Sequence, residues 1–159
     1  MSLGVVYLVV VFVLAFLRFE KFEMPTSYMA PTITAGEHVL ADMKAYERNP
    51  TERFDLIVFS APKRYFELQK MEEKKTILCM RVIGLPGEKI EIKEDVVYVD
   101  SKAIELPEGL NYTTQGPHTL INLSQDEYFL VGDNSTISFD SRYWGPVEKA
   151  NILGKISNI

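Results

Sequence analysis

The first 17 residues constrain this chain more than any other segment, because no charged side chain occurs before Arg18. As an α-helix, MSLGVVYLVVVFVLAFL would be about 25 Å long, and the hydrocarbon core of a bilayer is about 30 Å thick. The side chains of Arg18 and Lys21 can reach the headgroups and make up the difference. The sequence therefore predicts a single-pass membrane anchor, a transmembrane helix, over residues 1–19.

Two other interpretations of this segment fit the residues less well. A cleavable signal peptide needs a basic start and a small-x-small cleavage site, which Ala15-Phe16-Leu17 before Arg18 does not provide. A core helix normally has a polar stripe, which this segment lacks. The positive charges of Arg18 and Lys21, taken alone, would place the domain that follows in the cytoplasm.

Residues 20–159 have the composition of one folded domain. Hydrophobic residues make up 47% of the chain, and 17 Lys and Arg against 22 Asp and Glu give a net charge of −5, which argues against a nucleic-acid partner. The two histidines, His38 and His118, and the one cysteine, Cys79, have no zinc-site spacing, so no metal and no other cofactor is predicted. Cys79 lies in an apolar stretch and is expected to be buried.

The hydrophobic pattern after the anchor predicts a mostly β domain. Short runs rich in Val, Ile, Leu and aromatic residues predict strands at 38–42, 56–60, 76–83, 89–92, 96–99, 127–131 and 152–156. Tight connections at 93–95 and 100–101 make 88–106 a β-meander, and 84–87 is a turn. Residues 63–75 instead predict a short, solvated helix. Tyr143 and Trp144 are expected to anchor the core.

Four segments of the chain, in order, resemble the sequence boxes of type I signal peptidases. MPTSYMAPTITAGEHVLAD (24–42) resembles the nucleophile box, and RFDLIVFSAP (53–62) resembles the box G-D-I-V-V-F-x-x-P. RVIGLPGEKI (81–90) resembles the box that begins at the catalytic lysine, and GDNSTISFDSRYWGPV (132–147) resembles G-D-N-R-x-x-S-x-D-S-R-x-W-G. Four boxes in order behind an N-terminal anchor make this resemblance specific.

The resemblance implies a Ser–Lys dyad, in which a serine attacks the carbonyl that follows a small residue of a secretory signal. A lysine takes the serine proton, and because lysine ordinarily titrates near 10.4, burial must lower its pKa. Both positions are substituted in this chain. The nucleophile position directly before Met29 is Tyr28, and the general-base position directly before Arg81 is Met80.

The other positions of the family pattern are present. By resemblance, Thr26 supplies a hydroxyl to the oxyanion hole, and Ser138 is the serine that hydrogen-bonds the lysine. The resemblance also implies two ion pairs near the site, one between Arg81 and Asp133 and one between Asp140 and Arg142. Further positions that match the nucleophile box are Met29 and Pro31.

An active enzyme would need another nucleophile and another base. Ser27 is the nearest hydroxyl, but a step of one residue along an extended segment moves about 3.3 Å and turns the side chain to the other face, unless a bulge intervenes. Lys74 and Lys75 precede Met80 by six and five residues, in a charged segment that is expected to be solvated. Signal peptidase activity through Ser27, or through an unrecognised base, is the alternative prediction.

The resemblance implies a coiled antiparallel β domain on the extracytoplasmic side of a bacterial cytoplasmic membrane. The residues favour a non-catalytic homologue that binds or presents exported polypeptides, because Tyr28 and Met80 cannot form the dyad. Its expected partners are exported preproteins or signal-peptide-like extended segments, the lipid bilayer, and a secretion or surface-assembly complex.

Overall fold

The computed structural model describes Val5, residues 18–110 and residues 119–157. The predicted anchor falls on residues that, apart from Val5, Arg18 and Phe19, lie outside this description, and so does His118. Within the described ranges, no helix is both long enough and apolar enough to cross a bilayer. The membrane anchor therefore stays a prediction from the sequence.

Two antiparallel β-sheets make up most of the described part of the chain. The strands are β1 (Phe19–Glu23), β2 (His38–Asp42), β3 (Leu56–Ser60), β4 (Ile77–Gly84), β5 (Lys89–Lys93), β6 (Val96–Val99), β7 (Lys102–Ala103), β8 (Thr119–Asn122), β9 (Glu127–Val131), β10 (Val147–Glu148) and β11 (Ile152–Ile156). The larger sheet has the order β1-β2-β11-β3-β4-β9-β10, and the smaller has the order β7-β6-β5-β8. The predicted mostly β, antiparallel architecture is confirmed.

The smaller sheet is built on two tight turns. Glu94 and Asp95, with φ of 50° and 63°, join β5 to β6, and Asp100 and Ser101, with φ of 50° and 67°, join β6 to β7. Positive φ at both turn positions is the two-residue hairpin geometry that matches the twist of the strands. The two predicted connections are therefore confirmed.

Helical structure is short in the described ranges and includes α1 (Lys63–Gln69), α2 (Ser141–Trp144) and 3-10 turns at Ser27–Met29, Ala45–Glu47 and Lys149–Asn151. Lys70 ends α1 because it adopts the left-handed conformation, with φ of 54° and ψ of 40°. The amide nitrogens of Lys70 and Met71 then donate to the carbonyls of Glu67 and Phe66. The helix predicted over 63–75 is therefore wrong beyond Gln69.

The larger sheet covers a hydrophobic core that Trp144 helps to close. Trp144 is buried, and its indole Nε1 donates to the carbonyl of Phe139 at 3.1 Å, as expected for a core anchor. Tyr143 is 42% exposed, so its prediction as a core anchor is wrong. Cys79 is buried as predicted, and this burial raises the pKa of its thiol to about 12.

Strand β1 was not predicted, because its sequence FEKFE carries three charges and no apolar run. Its five residues pair with β2, from Phe19 opposite Asp42 to Glu23 opposite His38. The guanidinium of Arg18 hydrogen-bonds the carboxylate of Asp42 and lowers the pKa of that carboxyl group. The β structure therefore begins at Phe19, inside the range 1–19 predicted for the anchor.

Candidate functional site

Tyr28 occupies the centre of the 3-10 turn Ser27–Met29, close to the surface of the core. Thr26 enters the turn in an extended conformation, with φ of −130° and ψ of 160°, and the side chain of Met29 is fully buried. The carbonyl of Tyr28 accepts a hydrogen bond from the amide of Asn134 at 2.9 Å. The turn is therefore fixed at both sides, by the core and by the segment 132–138.

Met80 lies in β4 with its side chain only 1% exposed. Its partner in β3 is Ile57, and the next residue, Arg81, pairs with Val131 of β9. Continuing this antiparallel register by one residue puts Gly132 opposite Met80. Residues directly opposite each other in antiparallel strands have their side chains on the same face of the sheet. The side chain of Met80 therefore points to the face on which a side chain at position 132 would lie.

Ser138 lies on that same face. A Cβ atom added to Gly132 would be 2.2 Å from the Oγ of Ser138 and 2.6 Å from the carbonyl oxygen of Tyr28. Ser138 is 2% exposed, and its hydroxyl has no hydrogen-bond partner among the described residues. The backbone of Tyr28 and the side chain of Ser138 thus adjoin Gly132, which lies opposite Met80 and has room only for a hydrogen.

An ion pair between Arg81 and Asp133 fixes the residues that follow Met80 and Gly132. The distance from Arg81 Nη2 to Asp133 Oδ2 is 2.6 Å, and the two side chains are 10% and 0% exposed. Arg81 Nη1 also donates to the carbonyl of Phe54 at 2.9 Å. The pair holds β4 and the segment after β9 in one arrangement, because each charge is compensated inside the protein.

A second ion pair, between Asp140 and Arg142, supports the loop that carries Ser138. Arg142 Nη2 lies 2.8 Å from Asp140 Oδ2, and both side chains are buried. Asp140 also accepts a hydrogen bond from the amide of Gly132 at 3.1 Å, and Arg142 Nη2 donates to the carbonyl of Ser135 at 2.8 Å. Both ion pairs that the resemblance implied are therefore formed.

Tyr65 of α1 is a neighbour of Tyr28 that the sequence analysis did not place in the site. Its ring centroid is 5.7 Å from that of Phe139 and 5.2 Å from that of Phe66. Burial raises the pKa of Tyr28, and the nearby phenol of Tyr65 raises it further. The apolar side chains in 63–75, a stretch that interrupts the rhythm of strands, were the signal that could have pointed here.

Ser27 does not line the surface depression that Lys74 and Lys75 share. Ser27 is half-buried and begins the same turn as Tyr28. Lys74 and Lys75 are exposed and line a surface depression of about 450 Å³ beside Phe66. The expectation that these lysines are solvated is confirmed, so neither is placed as a buried base.

The side chains assembled here can form hydrogen bonds but supply no general base. The thioether of Met80 does not take up a proton at neutral pH. Asp133 and Asp140 are each held by an arginine. The phenol of Tyr28 is protonated at neutral pH, because its ordinary pKa is near 10 and burial raises the pKa further. Across residues 18–110 and 119–157, no cluster of His, Cys, Asp or Glu is suited to hold a metal ion.

Comparison with known proteins gives matches along most of the chain. The family model described as "Signal peptidase, peptidase S26" matches residues 1–159. Signal peptidase I V of Bacillus subtilis (strain 168) is 32% identical in an alignment of 153 positions that covers 88% of this chain and 84% of that protein. Signal peptidase I of Bacillus caldolyticus is 32% identical in an alignment of 166 positions, gaps included, that covers 94% of this chain and 85% of that protein.

A solved structure is also similar. The crystal structure of a signal peptidase I from Enterococcus faecalis V583 superposes with a TM-score of 0.52 at 27% sequence identity. The match covers 69% of this chain and 98% of that chain. The similarity in fold therefore extends over nearly all of the solved domain.

Proposed function

Since this chain belongs to the signal peptidase (peptidase S26) family, we propose that it is a non-catalytic member that binds or presents exported polypeptides. The ligand is a preprotein or a signal-peptide-like segment in an extended conformation. The β domain faces the extracytoplasmic side of a bacterial cytoplasmic membrane, and the anchor predicted over residues 1–19 holds it there. In this position the domain acts beside a secretion or surface-assembly complex.

The observation that carries this proposal is the buried pair Met80 and Ser138. With exposures of 1% and 2%, neither side chain is open to bulk solvent. The hydroxyl of Ser138 has no partner among the described residues, and an unpartnered buried hydroxyl costs about 1–3 kcal/mol. A lysine amine at position 80 would supply that partner, whereas the thioether of Met80 does not. Ser138, the predicted hydrogen-bond partner of a catalytic lysine, is thus present, whereas the lysine itself is replaced by Met80.

The two buried ion pairs beside Tyr28 and Met80 support a role in binding rather than a loss of all function. The buried pairs Arg81–Asp133 and Asp140–Arg142 remain complete, and removing one partner of such a pair typically costs about 3–5 kcal/mol. Thr26 remains extended just before the nucleophile position. A chain that keeps this frame keeps the shape of the surface beside Tyr28, and an extended polypeptide can use that surface without being cut.

Active signal peptidase chemistry through Ser27 is the second candidate. Ser27 is half-buried rather than fully buried and lies in the same turn as Tyr28, so a substrate carbonyl could approach it. This candidate also needs a general base, which the described residues at the site do not supply. It therefore requires a base brought by the substrate, by a partner or by the residues outside the described ranges.

The decisive experiment compares preprotein cleavage by four versions of the full chain in detergent micelles. The versions are the chain as it stands, Ser27→Ala, Tyr28→Ser, and Tyr28→Ser combined with Met80→Lys. Binding of a fluorescent signal peptide to each version is measured by anisotropy in the same micelles. Ser124→Ala, which removes an exposed hydroxyl at the start of a distant turn, is the matched control for Ser27→Ala.

The proposal predicts that the chain as it stands binds the signal peptide and does not cut it. The double variant is the only version expected to cleave after an Ala-x-Ala sequence. Cleavage by the unaltered chain that disappears in Ser27→Ala, but not in Ser124→Ala, would replace the proposal with the second candidate. Absence of both binding and cleavage in the unaltered chain would refute both.

A further inference from the structure

A row of aromatic side chains extends from the nucleophile position to the protein surface. It consists of Tyr28, Tyr65, Phe139 and Tyr143, and we call it the aromatic row. The ring centroids of Tyr65 and Phe139 are 5.7 Å apart, and those of Phe139 and Tyr143 are 5.4 Å apart. Tyr28 and Tyr65 both pack against the main core. Rings from α1 and from residues 139–143 therefore form one surface, and Tyr28 packs against the same core.

The outer part of this row is accessible. Tyr143 is 42% exposed, and Ile137, two residues before Phe139, is 53% exposed. Tyr28, Tyr65 and Phe139 are partly buried. Tyrosine combines a large apolar area with a polar tip and few rotatable bonds, which is why it is enriched in binding surfaces.

Positive charge lies beside the aromatic row. Lys63 and Arg64 directly precede Tyr65, and their side chains are 75% and 60% exposed. Both pair with the same carboxylate, that of Glu67, at 4.0 Å and 3.2 Å. One carboxylate for two cations leaves an excess of positive charge here, although the whole chain has a net charge of −5. A ligand with an acidic residue next to its apolar side chain complements this arrangement.

We propose that the aromatic row makes this chain select extended polypeptide segments with a large apolar side chain next to an acidic residue. The inference rests on the proposed function and names its ligand class. A small ligand side chain would leave the faces of Tyr65 and Phe139 uncovered, whereas a phenylalanine or leucine side chain covers them.

The test uses the full chain in detergent micelles and three fluorescein-labelled peptides. The first has Phe flanked by Glu at its centre, the second has Ala flanked by Glu, and the third has Phe flanked by Lys. Dissociation constants are measured by anisotropy for the unaltered chain, Tyr65→Ala and Tyr143→Ala. Leu120→Ala is the control, because Leu120 is 56% exposed and lies on β8 of the smaller sheet.

The Phe–Glu peptide is expected to bind about tenfold more tightly than the Ala–Glu peptide. That preference should fall to about twofold or less in Tyr65→Ala and Tyr143→Ala and stay unchanged in Leu120→Ala. The Phe–Lys peptide should bind several times more weakly than Phe–Glu, with a difference that shrinks as salt is added. Tyr143 is the safer site for this test, because truncating an exposed side chain does not threaten the fold.

Three results would overturn the inference in different ways. Equal or tighter binding of the Ala–Glu peptide would refute the selection while the proposed function stands. A preference for Phe that survives in both tyrosine variants would place the selective surface elsewhere. Failure of all three peptides to bind, when a complete signal peptide also fails, would refute the proposed function as well.

Discussion

Replacing Met80 with lysine is expected to destabilise the β domain by roughly 2–3 kcal/mol at pH 7. Met80 is 1% exposed, so the new amine would be removed from solvent. Burial of this kind lowers a lysine pKa by about 2–3 units, and each unit corresponds to about 1.36 kcal/mol. A hydrogen bond between the amine and the hydroxyl of Ser138 returns about 1 kcal/mol. The difference between these two contributions gives the expected loss of stability.

The stability of the Met80→Lys variant should increase with pH. A lysine whose pKa is lowered on folding binds fewer protons in the folded state than in the unfolded state, so stability rises with pH. The loss in Met80→Lys should therefore be complete below the folded pKa and vanish as the pH passes about 10.4, the unfolded value. Urea unfolding of the full chain in micelles, followed by the fluorescence of Trp144 between pH 6 and pH 10, measures this directly.

Two further variants separate the effect of the buried charge from the effects of side-chain volume and of the hydrogen bond to Ser138. Met80→Leu conserves volume and carries no charge, so it is expected to cost less than about 1.5 kcal/mol at every pH. Met80→Lys combined with Ser138→Ala should be less stable than Met80→Lys alone by about 1 kcal/mol, because the amine loses its partner. A lysine variant as stable as the unaltered chain at pH 7, or a loss that does not change with pH, would refute the reasoning.

Three other predictions concern single residues around the same core. Ser138→Ala is expected to raise the free energy of unfolding by about 1 kcal/mol in urea titrations, because it removes a buried hydroxyl that has no partner among the described residues; a loss of stability would contradict this. Gly132→Ala should cost about 1–3 kcal/mol through the 2.2 Å and 2.6 Å contacts of its added Cβ, more than Gly36→Ala, which meets no atom within 4 Å and carries only the strain of its positive φ; equal losses would show that the contacts relax. The thiol of Cys79, with its pKa raised to about 12, should not react with a maleimide at pH 8 until the chain unfolds, as mass spectrometry along a urea series would show; rapid labelling of the folded chain would refute its burial.

The strands with alternating or continuous apolar residues were predictable from the sequence. The ranges 38–42, 56–60, 96–99, 127–131 and 152–156 agree with the structure residue for residue. Each of them contributes buried hydrophobic residues to one of the two cores, although Leu40 in 38–42 is 37% exposed. The type I′ turns at 94–95 and 100–101 also follow from local chemistry, because Asp and Ser occur readily in tight turns.

Strands that depend on a distant partner were not predictable. β1 is stabilised by pairing with β2 and by the bond from Arg18 to Asp42, neither of which its own five residues reveal. β10 has only two residues, and it is a strand because both of them pair with residues of β9. Tertiary pairing overrides weak local preference in both cases.

For the candidate site, the resemblance predicts which positions are substituted, but it does not reveal what surrounds them. The positions of Tyr28 and Met80 could be assigned by resemblance alone. The absence of a described partner for the Ser138 hydroxyl depends on the exposure and bonding of its neighbours in space. The apolar side chains in residues 63–75 indicate that this segment packs against the domain, but they do not indicate that α1 lies beside Tyr28 and Phe139.

The place of β11 in the larger sheet has a consequence for the order in which this domain forms. β11 separates β2 from β3, with Lys155 opposite Asp42 on one side and Ile152 opposite Phe59 on the other. Until residues 152–156 are available, β2 and β3 each keep an unpaired edge, and such edges promote association between chains. A chain shortened to residue 150 is expected to scatter light and to be degraded early by protease, whereas a soluble, protease-resistant product would show that the sheet closes without this strand. During synthesis, the incomplete sheet is therefore exposed until residues 152–156 have been added, so this domain depends on its last strand for protection against association.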